Sequence, residues 1–489
     1  MRTLLLPFFL LIGIISLTAQ NPIDTLGLTG TIADTAVASQ LLKESDELRN
    51  QFKYDLAIAK AKKAIEITER YLSTEAMLIA NAYIAIGRAY QQKGMQTDAI
   101  ENHTLALQIK KKLLGEDDFE LAHIYTNLGN CYASLDIPKA IEHFNKVIAL
   151  VLKHKGPESV LFASPYNGLG LCYSALGDFS QSLEYYKKSL NVLLKNVHPT
   201  HVNVGHCYQN IGNIHSNQGR FNESLLYAQK ALEVFIKALG RNHPTTSRAY
   251  INIGLAYSAK GDADKALYYF EKALACQIIA LGAEHYLVGN SYHNIGLAHQ
   301  QKGNIEAAIS NYQKALTIKI KTFGEKAWEL GTTYNNLGEC YQVQQNFDEA
   351  ILYHEKAIQC RMQFSKNFLD LQSSYANIGG CFFQKGDFDQ AVNYLQKSIQ
   401  FMIDNQKETN PKLALSYVAL GNIFATKNDF ETALKYYDLS FSVLNFNNDS
   451  YTKVSSFSLL SKILQAKGRL LEQRYIDYGD VQKVVRQNV

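Results

Sequence analysis

The sequence predicts an all-α fold, an α-solenoid of about ten stacked helical hairpins. Three observations carry that expectation. A glycine recurs every 41 or 42 residues, at positions 87, 129, 170, 212, 254, 296, 338, 379 and 421. Small residues follow it at fixed offsets: twelve on stand Ala99, Ser182, Ser224, Ala266, Ala308, Ala350, Ala391 and Ala433, and seven further Ala106, Ser189, Ala231, Ala273, Ala315, Ala357, Ser398 and Ser440. A tyrosine precedes the glycine by four residues in all nine copies, which places both on one stripe of a helix. Self-similarity at such a period is the signature of an array in which no single unit buries its own apolar faces.

Taken in chain order, the N-terminus reads as an address. Met1-Arg2 is followed by a charge-free run from Leu4 to Leu17 and then by small residues at Thr18 and Ala19, the layout of a signal peptide over 1–19. The run is short for a membrane span and contains Pro7 and Gly13. Residues 20–35 read as a linker, and the array as 36–450, with a degenerate first unit marked by Ala57 and a first helix starting near Val37. In a typical unit the first helix runs from about Thr245 to Lys260, Gly261-Asp262 turns the chain and caps the next helix, and the second runs from about Ala263 to Ala280. Ala266, Tyr269 or Phe270, Ala273 and Leu274 face inward there. Ala140 is one residue early, beside Pro138, and Asp136, Gln345 and Asn428 replace the turn glycine. A mid-helix glycine costs about 1 kcal/mol relative to alanine, so nine of them need a packing reason, and close helix approach is the simplest. Residues 451–489 read as a capping helix and tail.

Composition narrows the function classes. The chain has 489 residues, 47% apolar and 19% charged, which excludes a disordered or coiled-coil chain. The net charge of +4 gives no support to a nucleic-acid or acidic-membrane partner. Cys131, Cys172, Cys340 and Cys381 share one repeat position with Ala89, Ala256 and Ala298, so they read as small core side chains rather than half-cystines.

The frame Gly-x-x-Tyr, then Gly-Asp, then alanines at the two offsets resembles the tetratricopeptide repeat. The longer period, with joins such as Gly240-Arg-Asn-His-Pro244, is similar to the kinesin light chain subclass. The resemblance implies a right-handed superhelix whose first helices line a concave groove, and a peptide-binding role for that groove. Because related arrays precede protease-like or histidine kinase domains, it also implies a sensory or regulatory arm acting in trans on an enzyme; a third option is a structural component of an envelope assembly using the convex face.

A helical wheel places the position two before the glycine on the sector opposite the buried stripe. It carries Asn127, Asn210, Asn252, Asn294, Asn336 and Asn377, with Gly168 interrupting the run. Each asparagine offers a donor and an acceptor, so a row of them either pairs with the main chain of an extended peptide or bonds to the neighbouring repeat. His206 and Arg248 lie on the same sector, six before the glycine, with His123 in the corresponding place. The histidines either titrate near pH ~6.5 and tune binding or stay solvated. Few charges enter, chiefly Arg88, Arg248 and Glu339, so a neutral, main-chain-directed groove is expected. No cofactor is expected. His198-x-x-His201 lacks acidic or thiol partners at zinc-ligand spacing, the cysteines fill core slots, and no strand precedes the glycine-rich turns, so neither metal chemistry nor catalysis is expected.

Overall fold

The computed structural model describes residues 25–69, 76–362, 368–405 and 410–445, together with 465, 468–470 and 472. The expected signal peptide, and most of the expected capping helix and tail, lie outside the described residues. The chain divides into two compact units, Met1–Asn196 and Val197–Val489.

The first unit holds four helical hairpins: α1 (Thr25–Asn50) with α2 (Tyr54–Thr68), α3 (Ala76–Lys93) with α4 (Gln96–Leu114), α5 (Leu121–Tyr132) with α6 (Ile137–Lys155), and α7 (Ala163–Ala175) with α8 (Phe179–Asn196). The second holds six: α9 (Val202–Asn217) with α10 (Phe221–Leu239), α11 (Pro244–Ala259) with α12 (Ala263–Leu281), α13 (Tyr286–Gln301) with α14 (Ile305–Phe323), α15 (Gly331–Val343) with α16 (Phe347–Met362), α17 (Phe368–Gln384) with α18 (Phe388–Asp404), and α19 (Pro411–Thr426) with α20 (Phe430–Asn445). In each unit successive hairpins pack side by side, so each is an α-solenoid of the expected class. Helix α1 begins at Thr25, well before Val37 and inside the stretch that reads as a linker.

The turns explain the local chain path. Between the helices of a hairpin, Gly94, Gly177, Gly219, Gly261, Gly303 and Gly386 adopt positive φ, a conformation that costs other residues about 1–2 kcal/mol. Gln345 and Asn428 take the same conformation at φ near 60°, as does Phe52 in the first hairpin. Asp136 does not: its φ is −150°, the shortened turn passing through a different path. The aspartate after the turn caps the second helix, as Asp262 Oδ1 does by accepting from Lys265 N at 3.1 Å. Between hairpins, His201, His243 and His285 cap the following helix through Nδ1, which accepts from the backbone N–H two residues on. His198 Nδ1 lies 2.8 Å from Thr200 Oγ1. The two histidines of the His-x-x-His pattern are thus turn and cap residues.

The repeated glycine is where the next helix seats a ring. A Cβ on Gly254 would lie 2.5 Å from Phe270 Cε1, and one on Gly296 2.7 Å from Tyr312 Cε1. His103, His354 and Tyr437 occupy the same place against Gly87, Gly338 and Gly421. Of the two candidates Tyr269 and Phe270, Phe270 enters the core at 0% exposure. Tyr269 instead stacks on Tyr257 at a centroid distance of 5.7 Å and leans on Tyr250. This three-ring clasp recurs as Tyr166–Tyr185–Tyr173, Tyr334–Tyr353–Tyr341 and Tyr375–Tyr394–Phe382. Most of the repeated tyrosines are therefore half-buried at the core margin rather than inside it. All seven cysteines are free and buried. Burial pushes the Cys131, Cys172 and Cys381 thiols up to about 11, as unreactive core groups.

Candidate peptide-binding face

The sector opposite the tyrosine stripe does lie outside the core. Arg248, Leu255 and Ala259 on α11 are exposed, as are Asn81, Ser164 and Thr332 at positions equivalent to Arg248. The six asparagines of the row are all half-buried, standing at the edge of this face. Asn127 belongs to the first unit and the other five to the second.

Their partners differ. Asn252 Nδ2 donates to Asn213 Oδ1 at 3.3 Å, joining first helices of adjacent hairpins. Asn336 Nδ2 donates to Tyr312 Oη at 3.4 Å, and Tyr312 donates to Gln300 Oε1 at 2.7 Å. Asn377 Nδ2 donates to Asn335 Oδ1 at 3.4 Å, and its carbonyl accepts from Gln342 Nε2 at 3.1 Å. Asn210 is engaged within the protein. Among the described residues no hydrogen bond uses the Asn294 amide, and Asn127 Nδ2 is buried with no partner. Stack-stabilising bonds at Asn252, Asn336 and Asn377 thus stand beside an Asn294 amide that no hydrogen bond uses.

The histidines are neither solvated nor poised at neutral pH. His206 lies against the Phe235 ring at 5.1 Å, and burial, then the Arg248 charge, hold it below the ordinary imidazole range. Burial, then Lys110 and Arg88, push His123 down to about 4. Both stay neutral at pH 7. Arg248 is exposed and free to meet a ligand's acceptors.

One feature escapes the identity markers. Twenty-three residues after the repeated glycine a slot on the second helix is buried in eight of the nine copies, the exception being Leu152, which follows the shortened turn. The slot holds Leu193, Phe235, Met402 and Leu444, but also Lys110, Gln277, Lys319 and Arg361. Lys319 Nζ reaches only Thr333 Oγ1 at 3.4 Å and Glu329 O at 3.5 Å, and burial lowers its pKa to about 8. Arg361 is better held, donating to Asp370 O at 2.9 Å and Ser374 Oγ at 2.5 Å. Ser374 passes the contact to Asn335, which also bonds Glu339 at 2.8 Å and receives Asn377. A polar seam therefore runs from the interior to the asparagine row. The signal was present as a polar residue recurring at one offset, but its identity changes from copy to copy.

Paired helices, ring-on-glycine packing and an amide-lined open face define a helical-hairpin repeat protein. The sequence matches the tetratricopeptide repeat family over residues 48–112, 97–153, 161–237, 208–279, 287–363 and 370–445, and the chain belongs to that family. No curated protein sequence matches it. Among solved structures, the apo form of RapI is similar at 16% identity and a TM-score of 0.54, covering 75% of this chain and 97% of that one. The apo form of the quorum sensor NprR from B. thuringiensis is similar at 19% identity and a TM-score of 0.53, covering 73% and 99%. BtubC (BKLC) from P. vanneervenii aligns at 22% identity with a TM-score of 0.41, over 47% and 90%. These likenesses are of fold. Among the described residues no helix is long and apolar enough to cross a membrane.

Proposed function

We propose that the protein is an exported, non-enzymatic interaction scaffold that holds an extended peptide segment along the asparagine row. The observation that carries this reading is the row in the second unit, five half-buried amides from Asn210 to Asn377, of which Asn294 has donors unused by the protein, with Asn127 at the equivalent place in the first unit. Amides that pair with peptide N–H and C=O groups give affinity independent of side-chain identity. Arg248 and His206 flank the row and add contacts to peptide carbonyls. Export rests on the sequence of residues 1–19 alone. A second reading, a sensory arm acting in trans on a protease or histidine kinase, is favoured only by the fold shared with a quorum sensor.

The test is capture of partners from the extracellular or periplasmic fraction, with wild type beside a variant carrying Asn210→Ala, Asn252→Ala, Asn294→Ala and Asn336→Ala. The expected outcome is a partner held by wild type and lost by a variant that still melts as a folded protein. A partner retained by the variant removes the row from binding and moves attention to the opposite face. A partner whose own enzymatic activity changes on binding selects the sensory reading.

A further inference from the structure

Helix α12 departs from its sister second helices on the side turned to solvent. Tyr268, Lys272, Ala275 and Ile279 fall within about 60° of arc, opposite the buried Ala266, Phe270, Ala273 and Gln277. Tyr268 is 54% and Ile279 67% exposed. In the places equivalent to Ile279, Lys153, Lys195, Lys237 and Lys321 each form an ion pair. In the places equivalent to Tyr268, Glu142 and Glu184 pair with the lysine four residues on. With Tyr268 in place of that glutamate, Lys272 has no ion pair among the described residues and lies over the Tyr268 ring, 5.3 Å from its centroid. Glu271 likewise has no ion pair among the described residues. Leu226 of α10, equivalent to Tyr268, is exposed as well, whereas α14 returns to a polar pattern with Ser310 and Lys321. A lone exposed apolar side chain is ordinary on a protein surface. Two on one stripe, where sister helices place paired charges, mark a contact surface.

We infer that this side of α12 is the contact surface of a two-fold dimer, in which α12 packs antiparallel against α12 of a second copy. The stripe is self-complementary, as such a contact requires. Tyr268 and Ile279 are equidistant from the midpoint between Ala273 and Leu274, and so are Lys272 and Ala275. A two-fold axis through that midpoint sets each Tyr268 against Ile279 of the second copy, and each Lys272 across Ala275 of the second copy. The small Ala275 lets the helices approach to about 8–10 Å, the separation of packed helices. Lys272 then reaches Glu271 of the second copy, one turn from that alanine. Each copy supplies one unpaired lysine and one unpaired glutamate, so the contact closes two ion pairs with no charge left over. One helix pair buries less than the ~800 Å² per partner of a standard interface, so the dimer is concentration-dependent, with Kd ~10 μM. The inference is independent of the peptide-binding reading, whose asparagines lie on the first helices.

The test is sedimentation equilibrium of the full chain at low salt, from about 1 to about 300 μM. We expect wild type to pass from monomer to dimer across that range. Tyr268→Glu with Ile279→Lys restores the sister pattern at exposed positions; it is expected to keep the melting curve and to stay monomeric. Lys272→Glu alone and Glu271→Lys alone are each expected to weaken the dimer at least about ten-fold. The two together recover most of the affinity, because the charges are exchanged in both copies at once. Lys314→Glu, at the place on α14 equivalent to Lys272, leaves the dimer unchanged. A wild type that stays monomeric at every concentration overturns the assignment and leaves the patch to a different partner. A dimer that survives Tyr268→Glu with Ile279→Lys overturns it too. So do charge reversals that fail to weaken the dimer singly or fail to restore it together.

Discussion

At the scale of single residues, the repeated glycine is a seat for a ring in seven of its nine copies. The seat is graded, and the grading makes a prediction. A methyl on Gly254 would stand 2.5 Å from the Phe270 ring, which is itself fully buried. At Gly212 the residue sixteen on is Ala228, and the nearest atoms to an added Cβ are Ser224 O and Tyr227 Cβ, both at 3.3 Å. Gly254→Ala should therefore destabilise by about 1–3 kcal/mol through overpacking, despite the ~1 kcal/mol it gains in helix propensity. Gly212→Ala should fall within about 1 kcal/mol of wild type. Chemical denaturation of both variants checks this, and equal losses would mean that the ring is not what the glycine serves. Gln345 offers the opposite case, a side chain where φ is 61°. Gln345→Gly should stabilise by up to about 1 kcal/mol, because relief of left-handed strain slightly outweighs the added freedom of the unfolded chain. The glycine period was legible in the sequence because its residue never varies. Its cause was not, because the group that needs it is Phe, Tyr or His in different copies, Leu395 in one, and is absent at Ala228.

At the scale of the hairpin, two devices join elements. On the surface, Lys302 reaches Asp264 and Lys427 reaches Asp389, linking each turn to the previous second helix. These pairs are exposed and contribute at most ~1 kcal/mol each. The interior seam matters more. Leu193, Phe235 and Met402 show that its slot accepts apolar side chains. Lys319 sits there on two hydrogen bonds of 3.4 and 3.5 Å, so its desolvation is poorly offset. Lys319→Met should stabilise the protein by about 1–3 kcal/mol in denaturant unfolding. Arg361→Met should do the reverse, because it removes a charged donor from both Asp370 O and Ser374 Oγ and loosens Asn335 behind them. A loss of stability in Lys319→Met would show that its bonds to Thr333 and Glu329 outweigh the burial of the ammonium. The asparagine row was equally legible as a pattern, yet its partners were not. Asn213, Tyr312 and Asn335 stand at three unrelated repeat positions, and only folding brings them to Asn252, Asn336 and Asn377.

At the scale of the whole molecule, both units carry the same acid-sensitive weakness. His103 in the first and His354 in the second fill the ring seat, each 0% exposed with both ring nitrogens lacking a hydrogen-bond partner. Burial, then the Arg88 and His123 charges, lowers His103 to about 4; burial, then Arg361, lowers His354 to about 4. In the unfolded chain each titrates near 6.5. Between those two values the unfolded state binds protons that the folded state refuses, so stability rises with pH across this window and falls on acidification. The contribution is intact above pH ~6.5 and is lost as pH drops toward ~4; each histidine costs about 2 kcal/mol at pH ~5. Phe144 and Phe270 show that the seat accepts phenylalanine. The double variant His103→Phe with His354→Phe should match or exceed wild type at neutral pH and lose several kcal/mol less between pH ~7 and ~5. Because the two residues lie in different units, each single variant should remove about half of that difference, in the part of the unfolding transition that belongs to its own unit. Identical pH profiles for wild type and the double variant would show that the seats reorganise to solvate the charged rings, and that the acid response of this array resides in its carboxylates.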